Sequence, residues 1–328
     1  MNSGEGKIIK TTGPGASQLL RIGKNLLIFV FLVFSLDYIA GQVLRHYYFQ
    51  QKSGVLYATT YSLEAAKEDL LIFGSSRANR HYVPETFEND LKMSYYNAGR
   101  DGAGILYHTA VLSAILKRYR PKIIILDLNL TEFRKSSYPY DKLAFLLHYH
   151  QTHPEVRPIV DLRSRHEKLK LLSQIYPFNS CLIDIVLGNM KTDKEGRPEN
   201  KGYSPLFKGW PLPIQEVDYS NDNKIDPVLV GYFGKFVSRA IDNGIQLYVI
   251  VSPSYRRFKG TSLSVKIAEE ICLKNKVPFW DYSQSEYFLE RRDFFQDTLH
   301  LNHEGALEFS KMVAQRIKQF REYLLKAN

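Results

Sequence analysis

Cysteine is nearly missing from this chain. Cys181 and Cys272 are the only two in 328 residues and lie far apart, which excludes a disulfide framework; two small buried side chains is the plainer reading. No zinc-finger spacing and no Arg/Lys-rich helix occurs, so the net charge of +10 does not point to nucleic acid as a partner. It suits anionic surroundings instead, such as phospholipid headgroups or acidic glycans. His148, His150 and His153 form an H-x-H-x-x-H cluster, but no carboxylate or cysteine stands at a familiar ligand spacing, and neither a metal nor a cofactor is expected. Low-complexity tracts are absent as well, and with 44% hydrophobic and 24% charged residues the composition is that of a folded protein.

One long apolar run is present. Residues 25–44, bracketed by Lys24 and Arg45, would span roughly 30 Å as a helix, the thickness of a bilayer core. Asp37 interrupts it toward the C-terminal end, where a carboxylate reaches the interface more cheaply than from the centre. A signal-peptidase site would need small residues, and Tyr38 and Ile39 precede Ala40 and Gly41, so an uncleaved anchor is expected. Lys7, Lys10, Arg21 and Lys24 before the run outweigh Arg45 and Lys52 after it. That bias puts residues 1–24 in the cytoplasm as a tail and the rest outside, periplasmic or at the cell surface. Residues 45–68 then read as a juxtamembrane helix or stalk.

From residue 69 onward, strand and helix signals alternate. Asp69–Phe73, Lys92–Tyr96, Lys122–Asp127, Ile245–Val251 and Val277–Trp280 read as strands, the apolar ones suited to burial on both faces. Gly102–Tyr119, Val230–Asn243, Ser262–Asn275 and His303–Leu325 show helical spacing. Such alternation predicts a three-layer α/β/α domain over 69–328 with a mainly parallel sheet. About 134–225 breaks the rhythm and reads as an insertion, with helical pieces at Tyr140–Tyr149, Arg163–Ile175 and Ser180–Leu187 and a turn-rich stretch, Lys191–Pro213. Tyr203, Phe207 and Trp210 within it could stack on sugar rings or simply pack.

In parallel sheets, functional groups collect beyond the carboxyl ends of the strands. Gly74-Ser75-Ser76-Arg77 follows the first strand, Asn97-Ala98-Gly99 the second and Asn129 the third, while Asp297-Thr298-Leu299-His300 precedes the last helix. A serine hydroxyl needs a base to take its proton as it attacks; His300 could do so, with Asp297 holding the imidazole. The G-x-S-x-G elbow of α/β-hydrolases is absent. Gly-Ser-Ser after a strand is also a common turn, and Asp-x-x-His before a helix could merely cap it.

These blocks resemble the SGNH (GDSL-like) hydrolase superfamily, in the variant seen in membrane-anchored members that act on cell-envelope polymers. The resemblance covers roughly residues 69–133 and 228–320. It implies Ser76 as nucleophile, Asp297 and His300 as its partners, and an oxyanion hole from Ser76, Gly99 and Asn129. The third block keeps only its asparagine in Asp127-Leu128-Asn129-Leu130. Arg77 and Arg80 are candidates for steering an anionic substrate. The implied function is an ester hydrolase acting on O-acyl, chiefly O-acetyl, groups of an envelope or secreted glycan. An O-acyltransferase served by a membrane-embedded acyl donor, or a non-catalytic glycan-binding scaffold, are the alternatives.

Overall fold

Among its described residues the chain forms seven strands, β1 (Leu70–Gly74), β2 (Tyr95–Asn97), β3 (Ile123–Asp127), β4 (Gln215–Asp218), β5 (Gln246–Val251), β6 (Arg256–Lys259) and β7 (Phe279–Asp281). This computed structural model describes residues 15–327 apart from 191–199, 210 and 220–223. Five strands make one parallel sheet in the order β2-β1-β3-β5-β7, and β4 pairs with β6 in a separate parallel ribbon. The fold is α/β, with helices on both faces of the sheet.

Strand residues divide by parity, as a period of two requires. Leu70, Ile72, Ile123, Ile125, Tyr248 and Ile250 enter one core with Tyr82, Phe87, Phe309 and Val313. These neighbours come from α4 (Pro84–Leu91), the short loop between it and α3 (Ser76–His81), and the C-terminal helix His303–Ala327. Leu71, Phe73, Ile124, Leu126, Leu247 and Val249 face the other core. That side is covered by α5 (Ile105–Arg118) and by helices Pro227–Asp242 and Leu263–Lys274. Burial on both faces is why β1 and β3 carry no polar residue before their last position.

Helices Ser76–His81 and Pro84–Leu91 lie between the first two strands, where no helix is read from the sequence; Pro84, at the first helical position, starts the second with its φ already set and no N–H to satisfy. In the insertion, the helix expected over Arg163–Ile175 is reduced to the single turn Glu167–Lys170. The cause lies in the N-terminal helix, α1 (Ala16–Phe49). Asp37 accepts from Gln174 N at 2.7 Å, Ile175 N at 3.4 Å and Ser173 Oγ at 2.6 Å, drawing off amides a continuing helix would need.

The described part of α1 is long and apolar enough to cross a membrane, as an anchor or a signal sequence would be. Residues 45–68 are largely helical, made of the end of α1, Gly54–Thr60 and Tyr61–Ala65, and they pack into the domain. Tyr48, Leu56, Leu63 and Ala66 are buried, and Arg118 donates to the carbonyls of Leu63 at 2.9 Å and Ala66 at 2.7 Å, satisfying a helix end that would otherwise be left unpaired.

Two buried imidazoles, His108 and His148, lie in or against this core, and burial pushes each down from 6.5 to about 3. The unfolded chain therefore binds more protons than the folded one between those values. Their contribution to stability is complete above about pH 6.5 and drains as pH falls toward 3. The melting temperature is expected to drop between pH 7 and 4.5, and His108→Gln should flatten that slope even if it lowers stability at pH 7; an unchanged slope in differential scanning fluorimetry would contradict this assignment.

Candidate active site

Gly74 closes β1 with φ of 144°, and a Cβ there would sit 2.7 Å from the Asp127 carbonyl at the end of β3. Only glycine lets the chain turn this sharply against its neighbour, and the turn delivers Ser76 at the start of α3, above the carboxyl edge of the sheet. From the far end of the chain, the loop before the C-terminal helix brings up His300. Ser76 Oγ lies 2.7 Å from His300 Nε2. On the opposite side of the ring, Nδ1 is 2.8 Å from Asp297 Oδ2.

Asp297 is fixed by its own backbone: its Oδ1 accepts from Leu299 N at 2.7 Å and His300 N at 2.9 Å. Burial would raise its pKa, but the His300 and backbone donors outweigh that and hold it below the usual carboxylate range. Asp297 thus shapes the turn and orients the imidazole at once. Capping of the helix itself falls to Asn302, whose Oδ1 accepts from Gly305 N at 3.0 Å.

A second histidine supports this loop from beneath. His81 is buried, and its Nε2 accepts from Leu301 N at 3.0 Å. An amide is only a donor, so the His81 proton must sit on Nδ1, where it meets Ser252 Oγ at 3.0 Å. The Ser252 hydroxyl proton is then left for Asp127, which it stabilises. Tyr82 OH donates to Asp127 Oδ2 at 2.7 Å, and Arg77 closes the set 3.2 Å from Oδ1. Burial pushes the Asp127 carboxyl up, and these partners pull it back. It also pushes His81 well below 6.5, with the charges of His300, Arg77 and Arg80 adding to the effect. No pattern at sequence level distinguishes His81; its role exists only through the loop that lands on it.

Arg77 is thereby removed from substrate contact. It is 4% exposed, committed to Asp127 and to the Leu128 carbonyl, so the expectation that it steers substrate is corrected. Arg80 does line the cleft, yet its guanidinium forks onto Asp101 at 2.6 and 2.7 Å.

Gly99 is likewise displaced. Its N–H donates to Asn97 Oδ1 at 3.0 Å, and it lines a neighbouring hollow that does not reach Ser76. Gly102, three residues on, borders Ser76 on both sides, and its N–H donates to no group among the described residues. The Asp101-Gly102 dipeptide is a turn signal the sequence offered. Asn129 stands at the same cleft, its Oδ1 accepting from Thr131 N at 3.1 Å. That bond turns the amide so that Nδ2, which has no protein acceptor among the described residues, is left for a ligand.

Ser76 sits where two hollows meet. One, of about 340 Å³, is bordered by Gly102, Asn129, Thr131, Glu132 and Tyr138. The other, an open trough of about 650 Å³, runs past His300, Arg80 and residues 205–208 of the insertion. Phe207 is 76% exposed along the trough, whereas Tyr203 is buried with its hydroxyl on His303 Nδ1 at 3.0 Å. Trp210 lies outside the described residues. The three histidines 148, 150 and 153 find separate partners, Cys181, Asp161 and Thr152.

No family model matches the chain, and no curated protein matches it. Among solved structures it is similar to the crystal structure of a proposed acylhydrolase from Bacteroides fragilis NCTC 9343, at 13% identity over 80% of this chain and 94% of that one, with a TM-score of 0.39. The chemistry of the site is accordingly read from its own geometry.

Removing one partner of a buried pair strands the other charge. Arg77→Leu should therefore cost about 3–5 kcal/mol, against at most ~1 kcal/mol for Arg80→Ala at the partly exposed Asp101 pair. Urea unfolding of the two variants checks the order, and equal losses would contradict it.

Proposed function

We propose that this chain is a serine ester hydrolase of SGNH type, carried outside the cytoplasm on its N-terminal helix and acting on O-acyl groups of a glycan. One observation carries the reading: Ser76 Oγ stands 2.7 Å from His300 Nε2 while Asp297 engages Nδ1. Nucleophile, base and orienting carboxylate occupy the relation that acyl transfer requires.

In the reaction, Ser76 Oγ attacks the ester carbonyl carbon as its proton passes to His300 Nε2. Asp297 stabilises the imidazolium without taking the proton. The developing oxyanion is met by the N–H groups of Ser76 and Gly102 and by Asn129 Nδ2, donors spent on no other group among the described residues. Collapse expels the alcohol oxygen of the sugar, which receives the proton from His300 and leaves an acyl-Ser76. Water, deprotonated by His300 Nε2, then attacks the acyl carbon; the bond to Ser76 Oγ breaks as His300 returns the proton to that oxygen, and the carboxylic acid is released.

Phe207, exposed along the trough, offers a flat apolar face for the C–H side of a sugar ring, which supports the glycan reading. The second hollow favours a further outcome. If a sugar hydroxyl replaces water at the acyl-enzyme, the product is a transferred acyl group, and two hollows meeting at Ser76 would seat donor and acceptor. A membrane-embedded protein handing over acyl groups would suit that variant.

Hydrolysis of p-nitrophenyl acetate tests the core of the proposal. Ser76→Ala and His300→Ala should each lower kcat/KM by at least ~10³-fold, and Asn129→Ala should lower kcat by about 10²–10³-fold. A folded chain with no turnover, or turnover that survives Ser76→Ala, would favour a binding or scaffold protein.

A further inference from the structure

The helix α1 divides sharply along its length. Every residue from Ser17 to Phe34 is exposed, and contact with the domain begins at Ser35 and Asp37. Beyond Lys24 the exposed apolar part, Asn25–Phe34, is roughly 15 Å long at about 1.5 Å per residue, about half of a ~30 Å hydrocarbon core, so the apolar run continues past Phe34 alongside the domain. Asp37 therefore joins the domain to α1 within its apolar run, and the segment that Asp37 holds lies beside the helix that enters the bilayer. The contact is close: Gly41 packs against Gln174 with no room for a Cβ, which would lie 2.3 Å from Gln174 Cβ.

Immediately before that docking point runs Arg165-His166-Glu167-Lys168-Leu169-Lys170-Leu171-Leu172. It has two faces. Glu167 and Leu171 point inward, and Glu167 accepts from Arg163 at 2.9 Å and Tyr176 OH at 2.6 Å. Leu169 and Leu172 point outward, 65% and 63% exposed, with Arg165, Lys168 and Lys170 exposed around them. Exposed leucines ringed by basic side chains are costly in water and suited to a headgroup boundary, where the apolar groups submerge and the cations meet phosphate.

We propose that residues 165–172 form a second membrane contact. Leu169 and Leu172 enter the lipid surface beside α1, and Arg165 and Lys168 lie against anionic headgroups of the same leaflet. The bilayer is the occupant because this patch adjoins the point where the apolar helix meets the domain. With the Asp37 bonds, this contact holds the domain at two points, so the Ser76 cleft keeps a set height and tilt above the membrane. The inference rests on α1 being retained as an anchor, and not on the chemistry at Ser76.

The test uses the full chain, with Cys181 and Cys272 replaced by alanine, in vesicles of phosphatidylcholine and phosphatidylglycerol. Single cysteines at Leu32→Cys, Leu169→Cys, Leu172→Cys and Leu273→Cys carry an environment-sensitive fluorophore, and spin-labelled lipids serve as quenchers. Position 273, exposed on the helix Leu263–Lys274 away from α1, is the aqueous reference. Positions 169 and 172 are expected to be quenched at least twofold more than 273, and more so as phosphatidylglycerol increases. Quenching at 32 together with 169 and 172 matching 273 would overturn the proposal while leaving the anchor intact. No quenching at 32 would overturn it by removing the anchor. Quenching at 169 and 172 that ignores phosphatidylglycerol would overturn the headgroup contacts of Arg165 and Lys168.

Discussion

The arrangement at Ser76 depends on one buried ion pair, Arg77 with Asp127. Arg77 follows the candidate nucleophile in sequence, and Asp127 ends the neighbouring strand, so the pair ties the turn after β1 to the carboxyl edge of the sheet. Charges this deep persist when further hydrogen bonds back their mutual attraction. Here Tyr82, Ser252 and the Leu128 carbonyl provide them. Through Ser252 the same network reaches His81, and through His81 the amide next to His300. Ser76 and His300, separated by most of the chain, are thus braced from one buried polar cluster. A ligand can press on Ser76 or His300 without displacing either, because each is fixed by its sequence neighbour.

Above that rigid floor the insertion supplies the walls. Residues 205–208 reach the trough, and the backbone is pinned just before and within them: Ser204 N donates to Asn79 O at 2.9 Å, and His303 N to Leu206 O at 2.6 Å. Ser76, His300 and the cleft wall are therefore linked to one another, while Phe207 stays exposed along the trough with its ring 5.6 Å from that of His303. This separation of a fixed reacting centre from a variable wall is what a sheet edge with an inserted cap allows.

Much of this was legible in the sequence where the signal is local. Apolar runs such as Lys122–Asp127 give strands because burial on both faces leaves no alternative residue pattern, and the parallel order follows from their alternation with helices. Ser76, Asp297 and His300 stand out because turn and cap positions are written in the residues themselves. What was not legible is what depends on distant partners. Arg77 looks like an exposed arginine beside a site until β3 arrives to bury it. Gly99 and Gly102 occupy one loop, and only the Asn97 side chain, taking up the Gly99 amide, decides which faces Ser76. The broken helix before Ile175 is likewise invisible, since its competitor for hydrogen bonds, Asp37, lies in a different element.

The central claim is that Ser76 is a nucleophile activated by His300. Its most direct test is the reaction of the folded chain with a fluorophosphonate, read by intact mass and peptide mapping. One adduct per chain, located on Ser76 and lost in His300→Ala, is the predicted result. A folded chain that gains no adduct, or gains it on another serine while Ser76 stays unmodified, would contradict the account.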